Sequence, residues 1–374
     1  MRLLGSDGQS RRWRSLYITS WSGKNKEPFT AINGPFTNLL SLYIRTISAG
    51  QGAPYEPLVA AIVQDAPRLS TVDTADFFIL QRIQGWKDQR FWGTIESFRS
   101  LTRCDDWNFL SQATKLKELT LAHWELIPRN EPVHLPCLHT LRLFQSYTQP
   151  LSGFRLPALK ELFLDSARFT HMTDAIPLLN VTSIVSTNCD DVRILRHFLV
   201  PSLYHLHIES QDYRDGRAHL RGWSKSFTET FDGSEFMPRP TSLHLWLPIT
   251  EIQLLSALFE LPQLRELKVI PIRPLGSKFW TALKPRGAGG RKKVKQYCNQ
   301  LRILVVEIKP VLFRCGEFLS KARTLELAIE MAVAREQEGQ TLTHLILSWD
   351  DGSKDEVLGS FTTLPLHPVP SSHF

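Results

Sequence analysis

A six-residue pattern, L-x-x-L-x-L, returns along this chain at a nearly fixed interval and limits what it can fold into. Its clearest copies are L-K-E-L-T-L from Leu116, L-H-T-L-R-L from Leu138, L-K-E-L-F-L from Leu159 and L-Y-H-L-H-I from Leu203. A looser copy, V-T-S-I-V-S from Val181, fills the remaining gap, so the steps are 22, 21, 22 and 22 residues. Several copies have a proline two residues before them (Pro136, Pro157, Pro201). Single occurrences arise by chance in any leucine-rich chain, and this one has 54 Leu among 374 residues. Five in step do not.

The hexad extends outward with wider spacing. Upstream it is traced from Trp13, Leu39, Leu69 and Ile95, and downstream from Pro240, Leu264, Leu301 and Leu342. This makes thirteen copies, with steps from 21 to 41 residues and the weakest at Leu69, Ile95 and Pro240. Side chains alternate faces along a strand, so the last two apolar residues of each hexad point one way and the residue between them points the other. Parallel strands about 4.8 Å apart would then stack the inward leucines into a ladder. The expectation is α/β: a curved leucine-rich-repeat solenoid with a parallel sheet on the concave side and short helices on the convex side.

Helices are expected over 54–66, 105–113, 190–198, 249–259 and 318–338. The two C-D-D turns, at Cys104 and Cys189, place Asp at an N-cap and make both cysteines structural. Where many such repeats carry Asn, this chain has Trp124, Ser146, Ala167 and Cys189, which fits an irregular class. Residues 1–9 are expected to form a flexible lead, 10–350 the solenoid with a basic insertion at 284–296, and 351–374 a flexible tail.

Composition excludes several classes. With 42% hydrophobic residues and 22% charged, the chain has a core to bury and is not disordered. Its five Cys are widely scattered with no C-x-x-C pair, against a zinc ribbon or a redox centre. No apolar run reaches the roughly 18 residues of a membrane helix. A reduced, intracellular protein, cytoplasmic or nuclear, is expected. The sequence has no G-x-S-x-G, H-E-x-x-H or G-x-G-x-x-G, so neither an enzyme nor a cofactor is expected.

The chain resembles the leucine-rich-repeat region of basidiomycete-type F-box proteins. The resemblance rests on R-W-R-S-L-Y-I from Arg12, F-T-N-L-L-S-L-Y-I from Phe36, the L-P-x-L-x-x-L-x-L repeats at Leu135, Leu156 and Leu261, the P-x-L-x-x-L form at Pro201, and the C-D-D turns. It covers residues 10 to 350 approximately. It implies a repeat domain that holds a protein substrate for a cullin–RING ubiquitin ligase, with an adaptor subunit docked by an F-box preceding the R-W-R segment. The F-box signature L-P-x-E/D-I/L does not occur before Arg12, so adaptor docking is expected only with an F-box upstream, and the other form of this reading is an F-box-lacking remnant of such a receptor. A leucine-rich scaffold unrelated to ubiquitin, or a nuclear nucleic-acid-associated protein using the basic insertion, stays open as an alternative.

The open side of the strands is the default binding surface of a solenoid. The position between the two inward residues gives Tyr17, Tyr43, Asp73, Arg99, Thr120, Arg142, Phe163, Val185, His207, His244, Lys268, Val305 and Ile346. Tyr17, Tyr43, Arg99, Arg142 and Phe163 are side-chain types that dominate interface energetics. Lys268 adds charge, and His205, His207 and His244 add donors. The three histidines also form the one plausible metal constellation, but no carboxylate or Cys completes it, and no metal is expected. These residues are read as a surface for a protein partner with acidic groups around an apolar anchor, not for a membrane or nucleic acid. The basic run Lys284, Arg286, Arg291, Lys292, Lys293 and Lys295, interspersed with glycine, reads as a solvated loop or an import patch.

Overall fold

The structure is a computed structural model. It describes residues 9–20, 34–46, 55–75, 80, 81, 83, 85–102, 108–122, 132–145, 151, 153–166, 176–188, 195, 198–210, 239–247, 249–271, 275–285, 297–308, 319–349 and 354–359. The chain separates into two compact units, Met1–Pro240 and Thr241–Phe374.

All thirteen hexads become strands. In the first unit the long strands are β1 (Ser15–Ser20), β2 (Ser41–Thr46), β3 (Thr71–Thr74), β4 (Ser97–Ser100) and β5 (Glu118–Ala122). Short and long strands then alternate: β6 (Val133–His134), β7 (Thr140–Phe144), β8 (Phe154–Arg155), β9 (Glu161–Asp165), β10 (Ile176–Pro177), β11 (Ser183–Thr187), β12 (Phe198–Leu199) and β13 (His205–Glu209). The long strands pair in parallel in the order β1-β2-β3-β4-β5-β7-β9-β11-β13. Their register matches hexad to hexad, with Leu119 opposite Leu141, Leu141 opposite Leu162, Leu162 opposite Ile184 and Ile184 opposite Leu206. All five of these side chains are buried. The α/β leucine-rich-repeat class follows from this parallel, in-register ladder.

The prolines before the hexads have a local cause. Leu138, Leu159, Leu203 and Leu264 each donate their N–H to the carbonyl three residues back, at 3.1–3.4 Å, closing a turn over Pro136, Pro157, Pro201 and Pro262. Proline sits second in each turn, where its fixed φ suits the conformation and its missing N–H costs nothing. Each repeat therefore enters its strand through a preformed corner.

The other side of the regular repeats differs from expectation. Short strands stand there: β6 pairs β8 and β10 pairs β12, both in parallel, on segments given no element by the sequence except at Phe198, the end of the helix expected at 190–198. Phe198, expected to end a helix, lies in β12, and the described part of the segment expected as a helix at 105–113 holds a tight turn of helix over Asn108–Gln112. The reason is length. A repeat of 21 or 22 residues spends most of its chain on the strand and its turns, and an extended segment spans the remaining distance with fewer residues than a helix does. Asp105, Asp190, Cys104 and Cys189 lie outside the described residues, as do Trp124, Ser146, Ala167, residues 1–8 of the expected lead and 360–374 of the expected tail.

Where the hexads are further apart, helices and aromatics take up the extra chain. In the first unit the helix Glu56–Asp65 precedes β3, and a short helix Gln89–Trp92 precedes β4. Trp92 is fully buried, donates its indole N–H to the Trp86 carbonyl at 2.5 Å and packs its ring against Phe91, Phe98 and Phe109.

The second unit contains β14 (Ser242–Trp246), β15 (Glu266–Val269), β16 (Ile303–Ile308) and β17 (His344–Trp349), parallel and in register. Helices Glu251–Phe259, Ser277–Leu283 and Lys321–Gln337 connect them. Thr250 and Gln253 form a reciprocal capping box on the first, and the Glu251 carboxylate accepts the Phe279 N–H in the first turn of the second. The expected tail opens instead with a strand, β18 (Lys354–Gly359), antiparallel to β17. The link between them is too short for the crossover that a parallel strand requires.

Candidate functional site

Parallel pairing without a shift between hexads carries every position of the open side into lateral rows. In the first unit the central row runs Tyr17, Tyr43, Asp73, Arg99, Thr120, Arg142, Phe163, Val185, His207, each opposite the next. Five residues chosen on the sequence, Tyr17, Tyr43, Arg99, Arg142 and Phe163, thus share one face of one unit. From β2 onward the inward neighbours of this row are buried while most of its members keep partial exposure.

The row has distinct zones. Tyr17 and Tyr43 stack with ring centroids 4.3 Å apart and planes 3° from parallel, and Tyr17 is 65% exposed. Beside them Asp73 is only 8% exposed. Its Oδ2 accepts from Arg45 Nη2 at 2.7 Å and lies 4.0 Å from Arg99 Nη1. Burial raises the Asp73 carboxyl above its ordinary value, and the charges of Arg45 and Arg99 oppose that rise. Asp73 Oδ1 and Arg99 Nε are buried without hydrogen-bond partners. Asp73 thus fixes two guanidinium groups, each side chain 41% exposed, and the cluster keeps a net positive charge.

Further along, the Arg142 guanidinium carbon lies over the Phe163 ring at 4.8 Å from its centroid. Among the described residues no carboxylate pairs with Arg142. The stack holds a flexible charged side chain in place and leaves its hydrogen-bond donors free to act. Glu118 and Glu161, exposed on β5 and β9, accept from Ser97 Oγ and Thr140 Oγ1 at 3.4 and 3.2 Å and line one border of the row. His207 Nε2 ends the row 3.3 Å from Glu209 Oε2, and His205 is half-buried on the same strand.

The second unit has its own row, His244, Lys268, Val305, Ile346. Its charges are spent internally. Lys268 Nζ lies 2.7 Å from Glu307, and His244 Nε2 lies 3.1 Å from Glu266, which also accepts from Ser242 at 2.8 Å. Of the basic run, Lys284 is described and pairs with Glu330 at 2.7 Å. Arg286, Arg291, Lys292, Lys293 and Lys295 lie outside the described residues.

Sequence reasoning missed Arg45 and the part played by Asp73. Arg45 lies outside the central row, so a hexad-based reading omits it. The register that sets β2 beside β3 is what brings it to Asp73. No helix among the described residues is long and apolar enough to cross a membrane.

No model of a known protein family matches the chain, and no curated protein matches it. Among solved structures it is similar to an internalin from Listeria monocytogenes, with 15% identity, 86% of each chain covered and a TM-score of 0.40. It is also similar to the protein of the TLR13–ssRNA13 complex, with 13% identity over 74% of this chain and 37% of that chain, and a TM-score of 0.37. Both neighbours are leucine-rich-repeat proteins.

Proposed function

We propose that this chain is a protein-interaction module whose binding surface is the open face of its first unit. The observation that carries the reading is Arg142, held over Phe163 with no carboxylate partner among the described residues. A cation on an aromatic ring beside the apolar Val185 suits a partner that brings an acidic group next to an apolar anchor, because a guanidinium pairs with carboxylate or phosphate through two parallel hydrogen bonds. The second unit, with Lys268 and His244 already paired, is the weaker candidate surface. The finer reading is substrate recognition for a cullin–RING ubiquitin ligase of the F-box type, and it is supported by the sequence resemblance alone.

Two experiments test these levels separately. The double variant Arg142→Ala/Phe163→Ala should melt as the parent does, because neither side chain belongs to the leucine ladder. It should lose at least about 2 kcal/mol of affinity for a partner captured by the parent chain. Undiminished capture by the folded variant would remove this face from consideration. Affinity purification of the full gene product tests the ligase: recovery of adaptor and cullin subunits supports it, and a partner recovered without them leaves only the interaction module.

A further inference from the structure

The central row of the first unit is corrugated. Asp73 and Thr120 are recessed, at 8% and 9% exposure, and alternate with the larger, more exposed Tyr43, Arg99 and Arg142. From β2 to β7 the projecting side chains therefore recur every second strand. With strands about 4.8 Å apart, that is a repeat of about 9.6 Å running across the strands. A β-strand ligand shows one face at every second residue, about 6.7 Å, and falls out of step with this spacing. A polyproline II segment shows one face at every third residue, about 9.3 Å, and stays in step.

Resting on the open-face reading above, we propose that this row takes an acidic segment in polyproline II conformation, lying across the strands with carboxylates three residues apart. One carboxylate meets Arg99 and the next meets Arg142. The residue three places beyond Arg99's partner packs against the edges of the stacked Tyr43 and Tyr17 rings, an aromatic platform that suits a proline ring. The charge supports the assignment. The Arg99 side chain is 41% exposed with its Nη1 as far as 4.0 Å from Asp73, and Arg142 has no carboxylate among the described residues, so both have guanidinium donors to offer. Glu118 and Glu161 on the border repel an acidic chain that drifts off the arginine line. Asp73 is a positioning residue that tethers Arg45 at 2.7 Å and steadies Arg99 from below.

The test compares two labelled peptides of identical composition by fluorescence anisotropy on the full chain. One is Pro-Pro-Pro-Glu-Pro-Pro-Glu-Pro-Pro-Pro, which reads the same in both directions and presupposes no polarity. The other, Pro-Pro-Pro-Pro-Glu-Pro-Glu-Pro-Pro-Pro, sets its glutamates two apart. The first should bind about tenfold more tightly, the effect of one charge-assisted contact, and Arg99→Ala or Arg142→Ala should each abolish the difference. Equal binding of both peptides that still depends on Arg142 would overturn the spacing while leaving the open face as an acidic-partner surface. Binding of neither peptide would overturn the proposal, and the Arg142→Ala/Phe163→Ala capture experiment would then decide the broader reading by itself.

Discussion

Among the buried polar residues, Ser186 and Arg335 break the apolar rule of the interior in opposite ways. Ser186 occupies an inward ladder position where β9 has Leu164 and β13 has Ile208, and its buried hydroxyl has no partner. Ser186→Val should stabilise by about 1 kcal/mol, seen as a higher urea midpoint at unchanged slope, because a buried unpaired hydroxyl costs more than a methyl group does. Arg335, by contrast, is fully buried yet satisfied. It donates to the carbonyls of Leu283, Cys298, Asn299, Leu301 and Gln340, tying the helix Lys321–Gln337 to the chain on both sides of the basic insertion. Burial pulls its pKa down, but five carbonyl acceptors suit the planar fork. Arg335→Leu should cost about 3 kcal/mol or more by leaving those carbonyls unpaired, measured by the same unfolding experiment. Cys298, beside it, has its thiol pushed up to about 12 by burial, whereas Cys137 is exposed. Peptide-mapped alkylation of the native protein at neutral pH should therefore label Cys137 and spare Cys298. Ser186 was visible in the weak V-T-S-I-V-S copy. Arg335 was not, since nothing in a helical M-A-V-A-R-E-Q pattern distinguishes a buried arginine from a solvated one.

At the scale of the element, the strands were legible and their exits were not. Gln145, Ser166 and Asn188 occupy one position in three consecutive repeats, just past β7, β9 and β11, and all have positive φ, at 47°, 52° and 53°. Each donates its N–H to the carbonyl closing the next strand, Asp165, Thr187 and Glu209, so one more rung of the ladder forms before the chain turns. The left-handed conformation costs a side-chain-bearing residue about 1–2 kcal/mol, and glycine returns part of that through its greater unfolded-state entropy. Gln145→Gly should accordingly stabilise by about 0.5–1 kcal/mol. Asn188→Gly should do the reverse, because Asn188 Nδ2 also donates to Asp165 at 2.8 Å. Thermal unfolding of the two variants side by side checks the opposite signs. Periodicity cannot announce such a position, because Gln, Ser and Asn share no property except lying outside the apolar set. It also gave no sign of the short strands β6, β8, β10 and β12, since two-residue strands are too short to show an alternation.

At the scale of the whole chain, the hexad register accounts for most of what could be read in advance. It located thirteen strands, the buried ladder and the row of open-face residues, because one six-residue unit sets strand, facing and register together. It did not reveal which charges are spent. Lys268 and His244 looked as available as Arg142 until Glu307 and Glu266 were placed beside them. A ladder of this kind couples neighbours only. Leu162→Ala should cost about 2–5 kcal/mol through lost burial and a cavity. Combined with Leu141→Ala on the adjoining strand it should be non-additive, and combined with Leu42→Ala, several strands away in the same unit, additive within about 0.5 kcal/mol. Function is assigned to the opposite side of those strands, and site-specific photo-crosslinking tests this most directly. A photoreactive residue replaces Val185 on the open face in one protein and Arg155, exposed on the short strand β8, in another. Both proteins should fold, and the partner should become attached through position 185 and not through position 155. Attachment through position 155 with none at 185 would contradict the assignment of function to the open face.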